Sequence, residues 1–340
     1  MSRSLDRACA ALTGLAVGDA LGMPTQTLSV AEICHHYGKI TTFVAPYDDH
    51  PVADGLRPGQ VTDDTEQTFL LSARLIADAG PIDESRWAMD LLAWEADIKE
   101  RGLRDLLGPS SRAALDAMLS GTPVSETGRR GTTNGAAMRI VPVGIATPGT
   151  PLSGLLDRVE QACRLTHNTG EAIAAAAAVA AVISCGMDGL DFDGAVKTAL
   201  EAAEAGQHRG HPEGVRDMAA RIASALALAD RGVAAEELAR KTGTSVAACE
   251  SVPAAFGIVR LVGGSPWRAA LVAANIGDDT DTIGAIAGAM AGACAGLAAF
   301  PEDKIRAVRA ANDLPVERVA KDLLELHARH KRVREPGRAA

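Results

Sequence analysis

The stretch Asn275-Ile276-Gly277-Asp278-Asp279-Thr280-Asp281-Thr282-Ile283-Gly284 gathers three carboxylates and two hydroxyls within five positions. The run that follows, Ile283 to Phe300, carries no charge and is almost wholly Ala, Gly, Ile, Met and Leu. Carboxylates set against so apolar a segment need cations, and the segment supplies none. A smaller version, Val61-Thr62-Asp63-Asp64-Thr65, precedes a second helical pattern. Oxygen-only donor sets suit hard cations such as Mg²⁺, Mn²⁺ or Ca²⁺. Asp63 and Asp64 are adjacent, so their side chains diverge and can serve two ions. Asp279 and Asp281, two apart on a turn, can face one side, and Thr62 and Thr282 add neutral oxygens. Helix capping is the alternative, and it explains one Asp or Thr at a helix start. It does not explain three acids before an uncharged helix. The two turns are expected to meet in space and hold metal.

Helices must position them. Ser4–Leu21 repeats apolar residues at three- and four-residue intervals and runs into Gly18-Asp19-Ala20-Leu21-Gly22-Met23-Pro24, where the glycines and Pro24 force a turn. Asp19, a charge in an apolar stretch, is read either as a cap or as a partner behind the metal ligands. Further helices are expected near 29–37, 65–79, 84–99 with Asp83 as N-cap, and 109–119 with Pro109 in the first turn. The turn-rich loop Phe43–Gln60 is long enough to rim a site. Gly128–Arg139 is small, polar and glycine-rich ahead of an apolar helix, so its backbone N–H groups can face a ligand. Helices then follow near 153–166, 170–186, 191–206, 213–230, 235–241, 247–262, 265–275, 283–300, 302–312 and 315–331. No strand alternation is evident. The class is all-α and a single domain, 1–340, with a core of about 5–330 and a basic tail, 331–340, that frays. His208 and His211, at H-x-x-H spacing in a Gly/Pro-bounded loop, are read as solvated.

Composition narrows the function. At 340 residues, with 47% apolar side chains, a sizeable core is available, and 3% aromatics means it is built from small residues and closely approaching helices. The net charge of −9 argues against nucleic acid or an anionic membrane as partner. The apolar runs Ala172–Met187 and Ile283–Phe300 are Ala/Gly-rich and short, and fit buried central helices better than membrane spans. Six dispersed cysteines without a CxxC pair, and no secretory leader pattern, point to reduced thiols in the cytoplasm.

Five motifs then occur in one order: Gly18-Asp19-Ala20-Leu21-Gly22, Thr62-Asp63-Asp64-Thr65, Thr133-Asn134-Gly135-Ala136-Ala137-Met138-Arg139, Thr166-His167 and Gly277-Asp278-Asp279-Thr280-Asp281-Thr282. In this the chain resembles the ADP-ribosylglycohydrolases, including the dinitrogenase-reductase-activating type. Leu107–Ser111 and Glu250-Ser251-Val252-Pro253 place it nearest the bacterial YegU-like branch. The resemblance implies an orthogonal all-α helical bundle with two Mg²⁺ (or Mn²⁺) ions at the base of a cleft. It assigns Thr62, Asp63, Asp64, Asp279, Asp281 and Thr282 as ligands. It further implies hydrolysis of a C1 glycosidic bond in a small-molecule or protein-linked ADP-ribosyl or related ribosyl substrate, through an oxocarbenium-like state. Thr133, Asn134 and Gly135 would line the pocket, and His167 would contact the sugar.

Two positions depart from the family pattern. Gln26 stands near where members carry a Glu, and an amide can neither take a proton nor carry charge. The base role would then pass to Asp63 or Asp64, or catalysis would be lost and a sugar-nucleotide binder remain. Gly128–Arg139 also lacks the aromatics on which adenine stacks, which leaves open a nucleoside-like substrate without ADP. Asp278, where the family has Gly, is expected to cap or to stand behind the ligands.

Overall fold

The computed structural model describes residues 1–79, 81–103, 107–214 and 217–334. Its elements are α1 (Arg3–Gly22), α2 (Val30–Tyr37), α3 (Asp63–Asp78), α4 (Glu84–Glu100) and α5 (Pro109–Leu119). Three short helices follow, α6 (Val124–Thr127), α7 (Gly135–Met138) and α8 (Val141–Ala146). Then come α9 (Leu152–His167), α10 (Gly170–Met187), α11 (Phe192–Gly206), α12 (Met218–Asp230) and α13 (Ala235–Thr242). The chain ends with α14 (Ala248–Leu261), α15 (Pro266–Ala273), α16 (Thr280–Ala295), α17 (Glu302–Ala311) and α18 (Val316–Arg334). Among the described residues there is no strand, only two isolated bridges, Thr133 with Ala247 and Thr169 with His211.

The centre is the pair α1 and α16, flanked by α10 and α15. Glycines recur every four residues on both partners: Gly14, Gly18 and Gly22 on α1, and Gly284, Gly288 and Gly292 on α16. Residues four apart share a helix face, so each helix presents a groove of bare backbone to the other. A Cβ added at Gly18 would lie 1.9 Å from the Gly284 carbonyl oxygen, and one at Gly14 2.1 Å from that of Gly288. Helix α10 is buried along all its length. It is the one described helix long and apolar enough to cross a membrane, and it is enclosed by its neighbours instead. The small-residue core read from composition is this arrangement.

Boundaries shift where local chemistry acts. Helix α16 begins at Thr280, so Asp281 and Thr282 sit in its first turn, and it ends at Ala295 because Gly296 adopts φ 85°. Helix α3 likewise begins at Asp63 rather than Thr65. Asp83 caps α4, accepting from the Ser85 and Arg86 N–H groups. Ser29 and Glu32 form a capping box on α2. Residues 331–334, at the start of the basic tail, continue α18. Residues 335–340 lie outside the described ones.

Candidate active site

The two acidic turns meet. A cavity of about 200 Å³ is lined by Asp63 from one turn and Asp279, Asp281 and Thr282 from the other. Its remaining walls include Gln26, Thr133, Asn134 and Gly135, which the sequence had singled out. Val52, from the long 43–60 loop, also lines it, as do Gly108, Pro109 and Ser111 at the start of α5. Asp64 and Thr62 lie beneath this floor, each 1% exposed.

Asp19 holds the smaller turn in place. It is completely buried on α1 and accepts hydrogen bonds from the backbone N–H groups of Thr62 (3.0 Å) and Thr65 (3.1 Å). The hydroxyls of Thr62 (2.8 Å) and Thr65 (2.5 Å) donate to it as well. Thr62, the formal N-cap residue of α3, makes no side-chain cap bond of its own. Asp19 is therefore the cap that one of its two readings expected. It caps α3 from another helix, and it stands behind Thr62. Burial raises its carboxyl to about 6, against the lowering effect of the four bonds.

The larger turn is held from the opposite side. Asn134 donates its amide to Asp279 Oδ2 (2.5 Å) and to Ser251 Oγ (2.9 Å) on α14. The Asn134 N–H donates to the Val246 carbonyl at 2.9 Å, so the glycine-rich loop is pinned to the start of α14. Asp278 departs from expectation. It is exposed, in the left-handed region at φ 66°, and makes no cap on α16. Its backbone instead pairs with the segment after Gln26: the Thr27 N–H donates to the Asp278 carbonyl and the Asp278 N–H to the Leu28 carbonyl, both at 2.7 Å. The Gln26 segment is thereby tied to the larger acidic turn. Gln26 itself is 8% exposed and lines the cavity, and its Nε2 is buried without a hydrogen-bond partner.

His167 also departs from expectation. It is wholly buried and lies behind the wall, where a Cβ on Gly135 would sit 3.0 Å from its ring. It reaches the cavity only through Thr133, whose Oγ1 is 2.9 Å from Nε2. Nδ1 is 2.7 Å from Thr166 Oγ1, which accepts from Arg139 at 2.6 Å. Burial first, then Arg139, drives the imidazole well below its usual range, so the ring is neutral. Arg139 can only donate. The proton assignment that satisfies every group has Thr166 donating to Nδ1 and Nε2–H donating to Thr133, which turns the Thr133 proton outward.

Do these residues fit a cation? Asp63, Asp64 and Asp281 are pushed well above the ordinary carboxylate range, by burial first and then by neighbouring carboxylates, Asp19 and Asp279 among them in every case. Asp279 is raised to about 6, chiefly by burial. Asp64 Oδ2 receives only long contacts, 3.4 Å from the Thr62 and Thr282 hydroxyls, and its buried Oδ1 has no donor. A buried acceptor without a donor, inside mutually repelling carboxylates, is what a divalent cation would relieve. Among the described residues, no three carboxylate, imidazole or thiol side chains converge on one point as they stand. The set therefore fits by charge and donor type, with threonine oxygens and solvent completing any one shell. Its all-oxygen character favours a hard cation over Zn²⁺.

Sequence reasoning missed Gln67, Arg139, Ser251 and Val246 as parts of the site. Arg139 stood inside a quoted motif, and its charge between two apolar segments was the available signal. The loop with His208 and His211 also does more than sit in solvent. The His211 N–H donates to the Asn168 carbonyl at 2.8 Å and the Gly170 N–H to the His211 carbonyl at 2.9 Å, which fixes the turn after His167.

Comparison with known proteins follows the same lines. A family profile described as ADP-ribosylglycohydrolase matches residues 1–333. The uncharacterized protein YegU of Escherichia coli (strain K12) is 33% identical over 97% of this chain and 98% of its own. The ADP-ribosyl-(dinitrogen reductase) glycohydrolase of Rhodospirillum rubrum is 34% identical over 48% of this chain and 52% of its own. A solved ADP-ribosylglycohydrolase-related protein complex superposes with a TM-score of 0.68 over 96% of this chain and 99% of its own, at 24% identity, and so shares the fold. The chain belongs to the ADP-ribosylglycohydrolase family, whose members are metal-dependent hydrolases of glycosidic bonds in ADP-ribosylated substrates.

Proposed function

We propose that this protein hydrolyses the C1 glycosidic bond of an ADP-ribosylated or related ribosylated substrate at a site loaded with two Mg²⁺ (or Mn²⁺) ions. The observation that carries this is the meeting of Asp63 with Asp279, Asp281 and Thr282 around one cavity whose facing wall is Thr133–Gly135. Thr62, Asp63, Asp64, Asp279, Asp281 and Thr282 would hold the cations. When bound, a divalent cation polarises oxygen and lowers the pKa of water it touches. The chain's own residues do the rest. The three carboxylates on the cavity wall favour the positive charge that develops at C1 as the bond to the leaving group breaks. Asp63, half-buried and facing the cavity, is the proton acceptor, with Asp64 beneath it. The Thr133 hydroxyl and the backbone of Asn134 and Gly135 orient the substrate. Gln26 contacts it as a neutral amide.

The test is stability against pH with and without Mg²⁺. The cluster's folded pKa values lie above the ordinary value near 4, and those of Asp19 and Asp279 lie at about 6. Between these limits the folded state binds more protons than the unfolded one, so stability is lost as pH rises through the window. The Tm of cation-free protein should fall from about pH 4 to beyond pH 6. The Tm gain on adding Mg²⁺ should grow over the same range. A Mg²⁺ response absent at pH 7.5 would sink the metal reading.

A second reading, a nucleoside-like substrate without ADP, is favoured by the lining. Among the described residues that line the cavity there is no aromatic ring and no Lys or Arg. Rates on ADP-ribosyl substrates against free nucleosides decide between the two. Gln26→Glu bears on a third reading, the non-catalytic binder. Restoring an ionisable group should raise kcat about tenfold or more if its loss limits proton transfer. A neutral or harmful effect, in enzyme that turns over, would show that Gln26 is not the limiting residue.

A further inference from the structure

A chain of buried polar groups runs from the acidic cluster to the opposite cavity wall, and its middle is a guanidinium without a carboxylate partner among the described residues. Arg139 is 1% exposed and lies 5.6 Å over the ring of Trp87. Its Nη1 donates to Gln67 Oε1 at 2.6 Å and its Nη2 to Thr166 Oγ1 at 2.6 Å. Gln67, also fully buried, donates Nε2 to Asp63 Oδ2 at 3.2 Å. An amide side chain can ordinarily turn over and exchange its oxygen and nitrogen. Here it cannot, because Arg139 has five donors and no acceptor. A turned amide would set –NH₂ against the guanidinium and the carbonyl oxygen against the Asp63 carboxylate, two repulsions in place of two hydrogen bonds.

We infer that Arg139 is a positioning residue for cation binding: by fixing the orientation of Gln67 it locks Asp63 Oδ2 as a hydrogen-bond acceptor and leaves the other oxygen of Asp63 for the cavity. The arrangement is a donor-only residue reading out through a reversible one onto a ligand. Partners standing behind a metal ligand typically set affinity by about 10- to 100-fold. The second arm of Arg139, through Thr166 and His167 to Thr133, ties the substrate wall to the same guanidinium. The inference rests on the reading that Asp63 is a cation ligand.

The test is Mn²⁺ affinity, by titration calorimetry with Mn²⁺ alone, paired with urea midpoints in the absence of metal. Gln67→Met keeps the volume and removes both bonds, so Mn²⁺ affinity should fall by about tenfold or more. Arg139→Gln frees the amide to turn and should cause a comparable loss without touching any residue bonded to Asp63. Arg139→Lys keeps the charge and a donor toward Gln67 Oε1, and should hold affinity within about threefold. In Gln67→Met/Arg139→Gln the second change should add nothing to the first. A purely structural role predicts the opposite pattern, with lowered urea midpoints and wild-type Mn²⁺ affinity in whichever of Gln67→Met and Arg139→Gln folds, and that result overturns the inference. Wild-type protein that binds no Mn²⁺ would instead overturn the metal reading beneath it.

Discussion

Asp281→Asn is expected to lower kcat/KM on an ADP-ribosylated substrate by about 10³-fold, equivalent to about 4 kcal/mol of transition-state stabilisation. The same change should make the metal-free protein more stable. Asp281 lies in the first turn of α16, 3% exposed, its carboxyl pushed upward by burial and by Asp279, Asp19 and Asp63. Asn keeps the Oδ1 that accepts the Thr282 N–H at 3.0 Å, so the turn retains its local bond. What disappears is one of several like charges held together, a repulsion that serves no purpose unless cations offset it. Loss of a partner behind a ligand already costs about 10- to 100-fold in affinity or activity, and loss of a ligand itself should cost more. The measurement is paired: initial rates at saturating Mg²⁺, and Tm with and without it. A variant within tenfold of wild type, with an undiminished Mg²⁺ response, would remove Asp281 from the centre.

The acidic turns and the glycine-rich loop were legible because what identifies them is local: residue type, spacing, and a helix starting alongside. The helix order was legible for the same reason, since apolar period and capping residues act within a few positions. Asp83 and Ser29 cap where their side-chain chemistry says they should. Helices α6 and α7 were not legible, because four residues are too few to show a period, and of α8 only an apolar helix after Arg139 was expected, without its bounds. Nor could the sequence say that Asp19 caps a helix 43 positions away, that Asn134 reaches Asp279 across 145, or that His167 lies behind Thr133. Each of those depends on which elements the fold brings together. Asp278 shows the limit most plainly. An acid next to a helix start reads as a cap, yet its left-handed backbone turns it to solvent and puts its peptide groups to use against Thr27 and Leu28. The Gly14-Gly18-Gly22 and Gly284-Gly288-Gly292 intervals were a usable signal. Composition pointed to closely packed helices, and these intervals name the pair.

Gly18→Val should destabilise the protein by about 3 kcal/mol or more, at the upper end of overpacking costs, because the obstacle is backbone and not a side chain that can swing away. Even Gly18→Ala places a methyl carbon 1.9 Å from the Gly284 oxygen and 2.7 Å from the Ala285 nitrogen. No rotamer avoids that contact, so α1 and α16 must separate. Separation cannot stay local, since Gly14 against Gly288 and Gly22 against Asp281 belong to the same seam. An added Cβ at Gly22 would come within 2.4 Å of Asp281 Cα, so that end of the seam is also the floor of the cavity. Asp19, one residue beyond Gly18, would be drawn off the start of α3 and release the Thr62 and Thr65 N–H groups it holds. The expectation is therefore a joint loss: a lower urea midpoint for Gly18→Ala, and a Mg²⁺-induced Tm gain reduced in the fraction that remains folded. Gly108→Ala is the control, because Gly108 has an ordinary φ of −58° and, among the described residues, nothing within 4 Å of the added carbon. If Gly18→Ala unfolded at the same urea concentration as Gly108→Ala, the close seam would not be what holds the two acidic turns in register.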